Sequence, residues 1–184
     1  MKPSPPKPVK YFIGALFSDE ALLKDAIARC EEFLGPVDYT SGQFLFESTD
    51  YYQPEMGSPI NRQFFSFSKL KNPSMLAVAK IQSNTIEENL ARSGKRKVNL
   101  DIGYMDFHKV ILASAKYNGQ KIYLDHGIYA DPTLYYEKGK FHPYSWAFPD
   151  FQETELYYPV LLRIREIYKA QLKNAQSQDT PNSD

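Results

Sequence analysis

Residues 97–116 read KVNLDIGYMDFHKVILASAK, and the fold turns on how this stretch is read. Val98, Leu100, Ile102 and Tyr104 alternate with Asn99, Asp101 and Gly103. That period of two predicts a strand with one apolar and one polar face. Asn99 and Asp101 then stand side by side on the face away from the apolar set. Lys109 and Lys116 follow on the next segment, so opposite charges lie beside apolar walls. Within that segment Ile111–Ala115 suits a strand, although its Ala, Leu and Lys content suits a helix as well.

Upstream, Tyr11–Phe17 is a short apolar run of the kind that forms a buried strand. Ser18 is placed to cap a helix, and Asp19 and Glu20 fall in its first turn, where the helix dipole favours acids. Leu22, Leu23, Ala26, Ile27, Cys30, Phe33 and Leu34 recur at helical spacing, and Gly35-Pro36 stops the helix. Val37–Glu47 is extended and broken near Ser41-Gly42, Thr49–Pro59 is a loop, and Arg62–Phe67 is a second short strand. Asn72-Pro73 supplies a cap and a first-turn proline for a helix reaching about Arg92, with a stripe of Met75, Ala79, Gln82, Ile86 and Leu90. The order strand, helix, strand, strand, helix, strand is that of the split β-α-β, or ferredoxin-like, unit, an α+β class with a mostly antiparallel sheet. Downstream, Lys121–Leu124, a hairpin turning at Lys138-Gly139 and a terminal helix from about Thr154 extend it. That helix shows Tyr157, Leu161, Ile164, Tyr168 and Leu172 on one face, with Pro159 in its first turns. The expected organisation is a Pro-rich arm over 1–8, a single domain over 9–173 and a polar tail over 174–184.

With 184 residues, 42% hydrophobic and 24% charged, the chain can bury a sizeable core. Lysine plus arginine equals aspartate plus glutamate at 22 each, which gives no overall field for nucleic acid or an anionic membrane. A lone cysteine, Cys30, excludes an intrachain disulfide and fits a reducing compartment; on the apolar stripe it packs as a small hydrophobe. No stretch reaches the length of a membrane span, and the Pro-rich start lacks a signal peptide's apolar core, so a cytoplasmic protein is expected.

Several blocks together resemble the bacterial DUF4416 family, a domain of unknown function. They are Lys7-Pro8-Val9-Lys10 with Phe17-Ser18-Asp19-Glu20, Thr49-Asp50-Tyr51-Tyr52 with Glu55-Met56-Gly57, and Asn99-Leu100-Asp101 with Gly103-Tyr104. Ile122-Tyr123-Leu124 with Gly127-Ile128-Tyr129-Ala130 and Trp146-Ala147-Phe148-Pro149-Asp150 complete the set, which spans about residues 7 to 172. Some members of that family carry a GTP-binding label. A phosphate-binding loop requires Gly-x-x-x-x-Gly-Lys-Ser/Thr between a strand and a helix. Gly94-Lys95 is followed by Arg96, has no glycine five residues earlier, and has a helix before it rather than after. The label has no support in these residues.

The candidate site residues fall in three groups. Asp50, Tyr51, Tyr52 and Glu55 crowd one loop, where two acids could work as metal ligands or as an acid/base pair and two phenols could line a ligand; the plainer reading is a packed, turn-capped loop. Asn99 and Asp101 could present an amide and a carboxylate, with Arg62 or Lys109 as charge partners; Tyr104 and Tyr129 add walls. Asp50 and Asp101 are the candidate ligands for a hard cation, with Mg²⁺ the ion such oxygens favour. Arg92–Lys97 concentrates cations at a helix end, where they complement the dipole without a partner or, less simply, capture phosphate. His108, His126 and His142 lack zinc-site spacing, and Ser114 lies in no nucleophile elbow.

Two principal readings follow. One is a binding domain or enzyme for a small polar or phosphorylated metabolite, walled by Asp50–Gly57, Asn99–Tyr104 and Ile128–Tyr135. The other is a non-catalytic interaction module. RNA binding is a third, since aromatic Tyr11-Phe12 and Phe64-Phe65 sit where RNA-recognition modules keep stacking rings, yet the glycines of that motif and a basic charge are missing.

Overall fold

A computed structural model of the chain describes residues 1–152 and 155–178. Its strands are β1 (Lys10–Phe17), β2 (Val37–Thr40), β3 (Phe44–Leu45), β4 (Asn61–Phe67), β5 (Val98–Met105), β6 (Lys109–Ser114), β7 (Ile122–Asp125), β8 (Ile128–Glu137) and β9 (Lys140–Pro143). Its helices are α1 (Glu20–Leu34), α2 (Gln53–Met56), α3 (Leu76–Asn89), α4 (Pro149–Gln152) and α5 (Tyr158–Gln178). The strands form one antiparallel sheet in the order β2-β4-β1-β5-β6-β8-β7, with β3 beside β4 and β9 beside β8. The mixed α+β class with a mostly antiparallel sheet is as expected, and the order β2-β4-β1-β5 is compatible with the ferredoxin-like unit.

β1 lies at the centre of that unit and all eight of its residues are buried. Tyr11, Ile13, Ala15 and Phe17 face α1 and α3, packing against Leu23, Ile27, Cys30, Leu76 and Ile86. Phe12 faces the other way, into a second cluster with Phe64, Met105, Phe151 and the α5 residues Leu161 and Ile164. Both faces of β1 are therefore covered, which accounts for its unbroken apolar run. Lys10 is buried with it; its ammonium meets the Asp38 carboxylate and donates to the Phe67 carbonyl at 2.7 Å. Burial nevertheless lowers the Lys10 pKa. Gly103 marks a close approach: a Cβ there would overlap the carbonyl oxygen of Ile111 on β6.

Several boundaries differ from expectation. Asp19, not Ser18, caps α1, its carboxylate accepting from Leu22 N at 3.0 Å, while the Ser18 hydroxyl donates to the Met56 carbonyl at 2.6 Å. Asn72 and Pro73 open a 3₁₀ turn over Pro73–Met75, and α3 follows from Leu76 and ends at Asn89. Gln82 is exposed, and the buried face of α3 carries Lys80, Ser83 and Glu87 among its apolar residues. The 49–59 loop contains a 3₁₀ turn, Asp50–Tyr52, running into α2. Lys138 and Gly139 turn the β8–β9 hairpin with φ of 49° and 86°. Residues 1–8 are exposed and outside the sheet, although the Pro8 carbonyl accepts from Tyr168 at 2.8 Å. α5 stays helical through Gln178, past the expected start of the tail. The expected helix start at Thr154 and the rest of the tail, 179–184, lie outside the described residues.

Candidate functional site

β5 and β6 pair only at Gly103–Leu112, Tyr104–Ile111 and Met105–Val110. Upstream of Gly103, β5 continues to Val98 without a partner on that side, and β6 continues to Ser114. The gap holds a cavity of about 680 Å³, walled by α3 and the segment after it, β5, the Leu112–Lys116 stretch, Tyr51, Tyr52, Glu55, Lys121 and Phe148.

An open sheet leaves backbone donors and acceptors unpaired, and here α3 supplies the missing partners. Leu100 N donates to the Glu87 carboxylate at 2.7 Å, and the Leu100 carbonyl accepts from Lys80 Nζ at 3.0 Å. Lys80 and Glu87 lie 3.8 Å apart, so the two side chains neutralise one another while they stand in for a neighbouring strand. Burial pushes the Glu87 carboxyl up, opposed by Lys80, Leu100 N–H and Arg96.

From Glu87 a polar chain runs along the cavity floor. Arg96 forks onto both Glu55 oxygens at 2.7 and 2.8 Å, and its third nitrogen reaches Glu87 at 2.8 Å and Asn99 Oδ1 at 3.2 Å. Asn99 Nδ2 donates to Asp101 Oδ1 at 2.9 Å; Arg62 Nη1 meets Asp101 Oδ2 at 3.2 Å. Arg62 Nη2 meets Asp150 Oδ2 at 3.0 Å. The fork from Arg96 holds the Glu55 carboxyl below its usual value. Arg62 is only 3% exposed, and the rings of Phe46, Phe64, Phe151 and Tyr157 lie 5.2–5.9 Å from its guanidinium. Burial opposes the charge on Arg62, but Asp150 and Asp101 more than offset it and raise its pKa. Gly14 makes the room: a Cβ there would come within 2.8 Å of the guanidinium.

The opposite wall is cationic. Ser114 Oγ accepts from Lys121 Nζ at 2.8 Å and from Lys116 N at 3.1 Å. Lys121 also pairs with buried Asp131 at 3.2 Å. Lys116 Nζ donates to the Tyr51 hydroxyl at 3.0 Å and lies 4.8 Å from its ring centre, which draws the Tyr51 pKa down. Across the mouth, α2 is fastened by three consecutive cations: Lys95 Nζ donates to the Pro54 carbonyl at 3.3 Å, Arg96 holds Glu55, and Lys97 Nζ donates to the Met56 carbonyl at 2.8 Å.

Among the sequence candidates, Tyr51, Tyr52, Glu55, Asn99 and Asp101 line this cavity, with Arg62 bonded to its floor. The others do not. Asp50 accepts from Gln53 at 2.7 Å and is not among the walls. Tyr104 packs on the α-helical face, 6.0 Å from the Tyr11 ring, as its place in the apolar alternation requires. Lys109 pairs with Asp106, and Tyr129 packs between Tyr117 and Tyr123. The Ile128–Tyr135 wall is replaced by α3 and Leu112–Lys116. Of the two candidate Mg²⁺ ligands Asp101 lines the cavity and Asp50 does not, and among the described residues no group of three or more His, Cys, Asp or Glu side chains is placed to hold a metal ion.

Arg92–Lys97 lies beyond the end of α3 rather than in its last turn. Arg92 and Lys95 exchange both backbone hydrogen bonds, so Ser93-Gly94 forms a tight turn that Lys95 closes on the way into β5, not a loop that wraps phosphates. Tyr11, Phe12, Phe64 and Phe65 are all buried and offer no platform for stacked bases.

Sequence reading alone missed Lys80, Glu87, Ser114, Lys121, Phe148 and Asp150. The one legible signal was the weak apolar stripe of α3, where Lys80, Ser83 and Glu87 share a helix face.

A family model described as Domain of unknown function (DUF4416) matches residues 7–168. The chain belongs to the DUF4416 family. The matched span contains every wall of the cavity. No curated protein and no solved structure matches the chain. Among the described residues no helix is long and apolar enough to cross a membrane.

Proposed function

We propose that this DUF4416 chain binds a small polar metabolite, phosphorylated ones included, in the cleft between β5 and β6. The observation that carries the reading is the open sheet itself. Holding β5 away from β6 requires a buried Lys80–Glu87 pair to take over the strand's hydrogen bonds, and the gap so held is lined by polar groups from separate segments. Concave sites with a few convergent polar groups are where small ligands bind. The charged floor is already internally paired, so it can orient a ligand without reorganising.

The test is a thermal-shift screen with nucleotides, sugar phosphates, their unphosphorylated parents and divalent cations, run on the wild type and on Asn84→Trp. Asn84 lines the cavity and is itself no member of its ion pairs, so an indole there takes up cavity volume while every charged side chain stays in the sequence. A ligand at a hundred times its Kd stabilises the native state by about 2.7 kcal/mol. The expected result is a shift in the wild type that Asn84→Trp abolishes. No shift with any compound, or shifts that survive Asn84→Trp, refute the reading.

One observation favours a non-catalytic interaction module as a second reading. β7 is the edge strand at one end of the sheet, and its Ile122 and Tyr123 are 61% and 59% exposed. An apolar sheet edge invites strand addition. Ile122→Lys leaving the sedimentation coefficient and co-purifying proteins unchanged would count against it.

A further inference from the structure

The cavity is polarised from end to end, and the polarity suits one class of ligand. Of the four cations on its walls, Arg96, Lys80 and Lys121 each have a carboxylate partner. Lys116 has none among the described ion pairs; its ammonium rests on the hydroxyl and ring face of Tyr51. A phenol is a weak partner for a cation beside what a phosphate oxygen offers. Ser114 Oγ and Lys121 Nζ lie on the same wall, joined at 2.8 Å. The Phe148 ring lies 5.9 Å from Lys121, and the Tyr51 ring covers Lys116, so each ammonium has an aromatic wall beside it. The opposite wall presents Asn99 and the Asp101 carboxylate, whose oxygens can accept from ligand hydroxyl groups beyond the bonds they already make.

We propose that the Ser114–Lys116–Lys121 corner is an anion subsite that takes the phosphate of a phosphorylated polyol or sugar, Lys116 leaving Tyr51 for it, while the ligand's hydroxyls face Asn99 and Asp101. The inference rests on the cleft-binding reading and deepens it. Lys116 is the anchor because it is the wall cation with charge to spare. Tyr51 is the group it gives up, and its ring then closes over the phosphate from the Asp50–Met56 strap.

Calorimetric titration tests this with matched pairs: ribose phosphate, glucose phosphate and glycerol phosphate, each against its unphosphorylated parent. The variants are Lys116→Gln, which removes charge from an exposed side chain, and Tyr51→Phe, which removes the phenol and keeps the ring. In the wild type at least one phosphorylated probe should bind more tightly than its parent. Lys116→Gln should weaken that probe roughly tenfold or more and leave the parent's affinity unchanged. Tyr51→Phe should bind the phosphorylated probe no more weakly than wild type, since Lys116 is released beforehand. The inference is overturned if no phosphorylated probe binds, if parents bind equally well, or if Lys116→Gln changes nothing. When a neutral probe binds and Asn84→Trp abolishes it, only the anion subsite falls; when nothing sensitive to Asn84→Trp binds, the cleft reading falls with it.

Discussion

Replacing Arg62 with methionine tests the floor of the site more severely than any other single change. The guanidinium is enclosed by four rings and paired with Asp101 and Asp150, of which Asp150 is only 3% exposed and Asp101 partly exposed. Methionine fills much of the volume but leaves two carboxylates without their cation. Breaking a buried pair by removing one partner costs about 3–5 kcal/mol. Most of that falls on Asp150, because water still reaches Asp101. Burial already raises the Asp150 pKa and Arg62 opposes the rise, so Arg62→Met pushes it higher. An acid whose folded-state pKa is raised contributes stability that is present at low pH and lost as pH rises through that value. The deficit of Arg62→Met should therefore be largest near neutrality and narrow as pH falls. Guanidinium unfolding across a pH series reads it, and adding Asp150→Asn should recover part of the loss at neutral pH. A deficit under about 1 kcal/mol, or one that does not change with pH, would refute the claim that Arg62 compensates a buried carboxylate.

Three further outcomes follow from the packing. Glu87 also has a burial-raised pKa, so the stability advantage of wild type over Glu87→Gln should grow as pH falls through that raised value; thermal midpoints against pH check this, and parallel profiles would contradict it. Gly103→Ala forces a Cβ against the Ile111 carbonyl and should cost about 1–3 kcal/mol, whereas Gly42→Ala meets nothing within 4 Å and should stay within about 0.5 kcal/mol of wild type in chemical unfolding. Ile27→Ala, on the buried face of α1, should cost about 2–5 kcal/mol and exposed Lys24→Ala under about 0.5 kcal/mol; equal losses in urea titrations would mean the register of α1 is wrong.

The elements that could be read from sequence are those whose pattern depends on one partner surface. α1 shows its stripe because Leu23, Ile27, Cys30 and Leu34 all meet the same sheet face. β5 shows strict alternation because Val98, Leu100 and Ile102 meet the helices while Asn99 and Asp101 point to the opposite face. The same rule assigned Tyr104 to the apolar side, and its place against Tyr11 follows from the alternation rather than from its hydroxyl. Asp50 and Lys109 illustrate the opposite limit. Each found a partner within three residues, Gln53 and Asp106, and a local partner satisfies a polar side chain before a distant site can claim it.

The rest of the site was hidden because its logic is tertiary. Lys80, Ser83 and Glu87 on a buried helix face look in sequence like a poor apolar stripe. They make sense only when β5 is seen to part from β6 at Gly103, leaving Leu100 N–H and C=O with no strand to bond. A closed sheet would satisfy those groups by itself and would let α3 carry leucines. A buried ion pair is at best weak evidence of added stability, since apolar replacements are often neutral or better. The polar face of α3 is therefore better explained by the cavity it keeps open than by the core it joins. Arg96 extends the same argument outward: a cation beyond the helix end complements no dipole, but it ties α2 to α3 and β5 through Glu55, Glu87 and Asn99. Each of these side chains holds some part of the gap between two strands, and the gap is where a ligand would have to be.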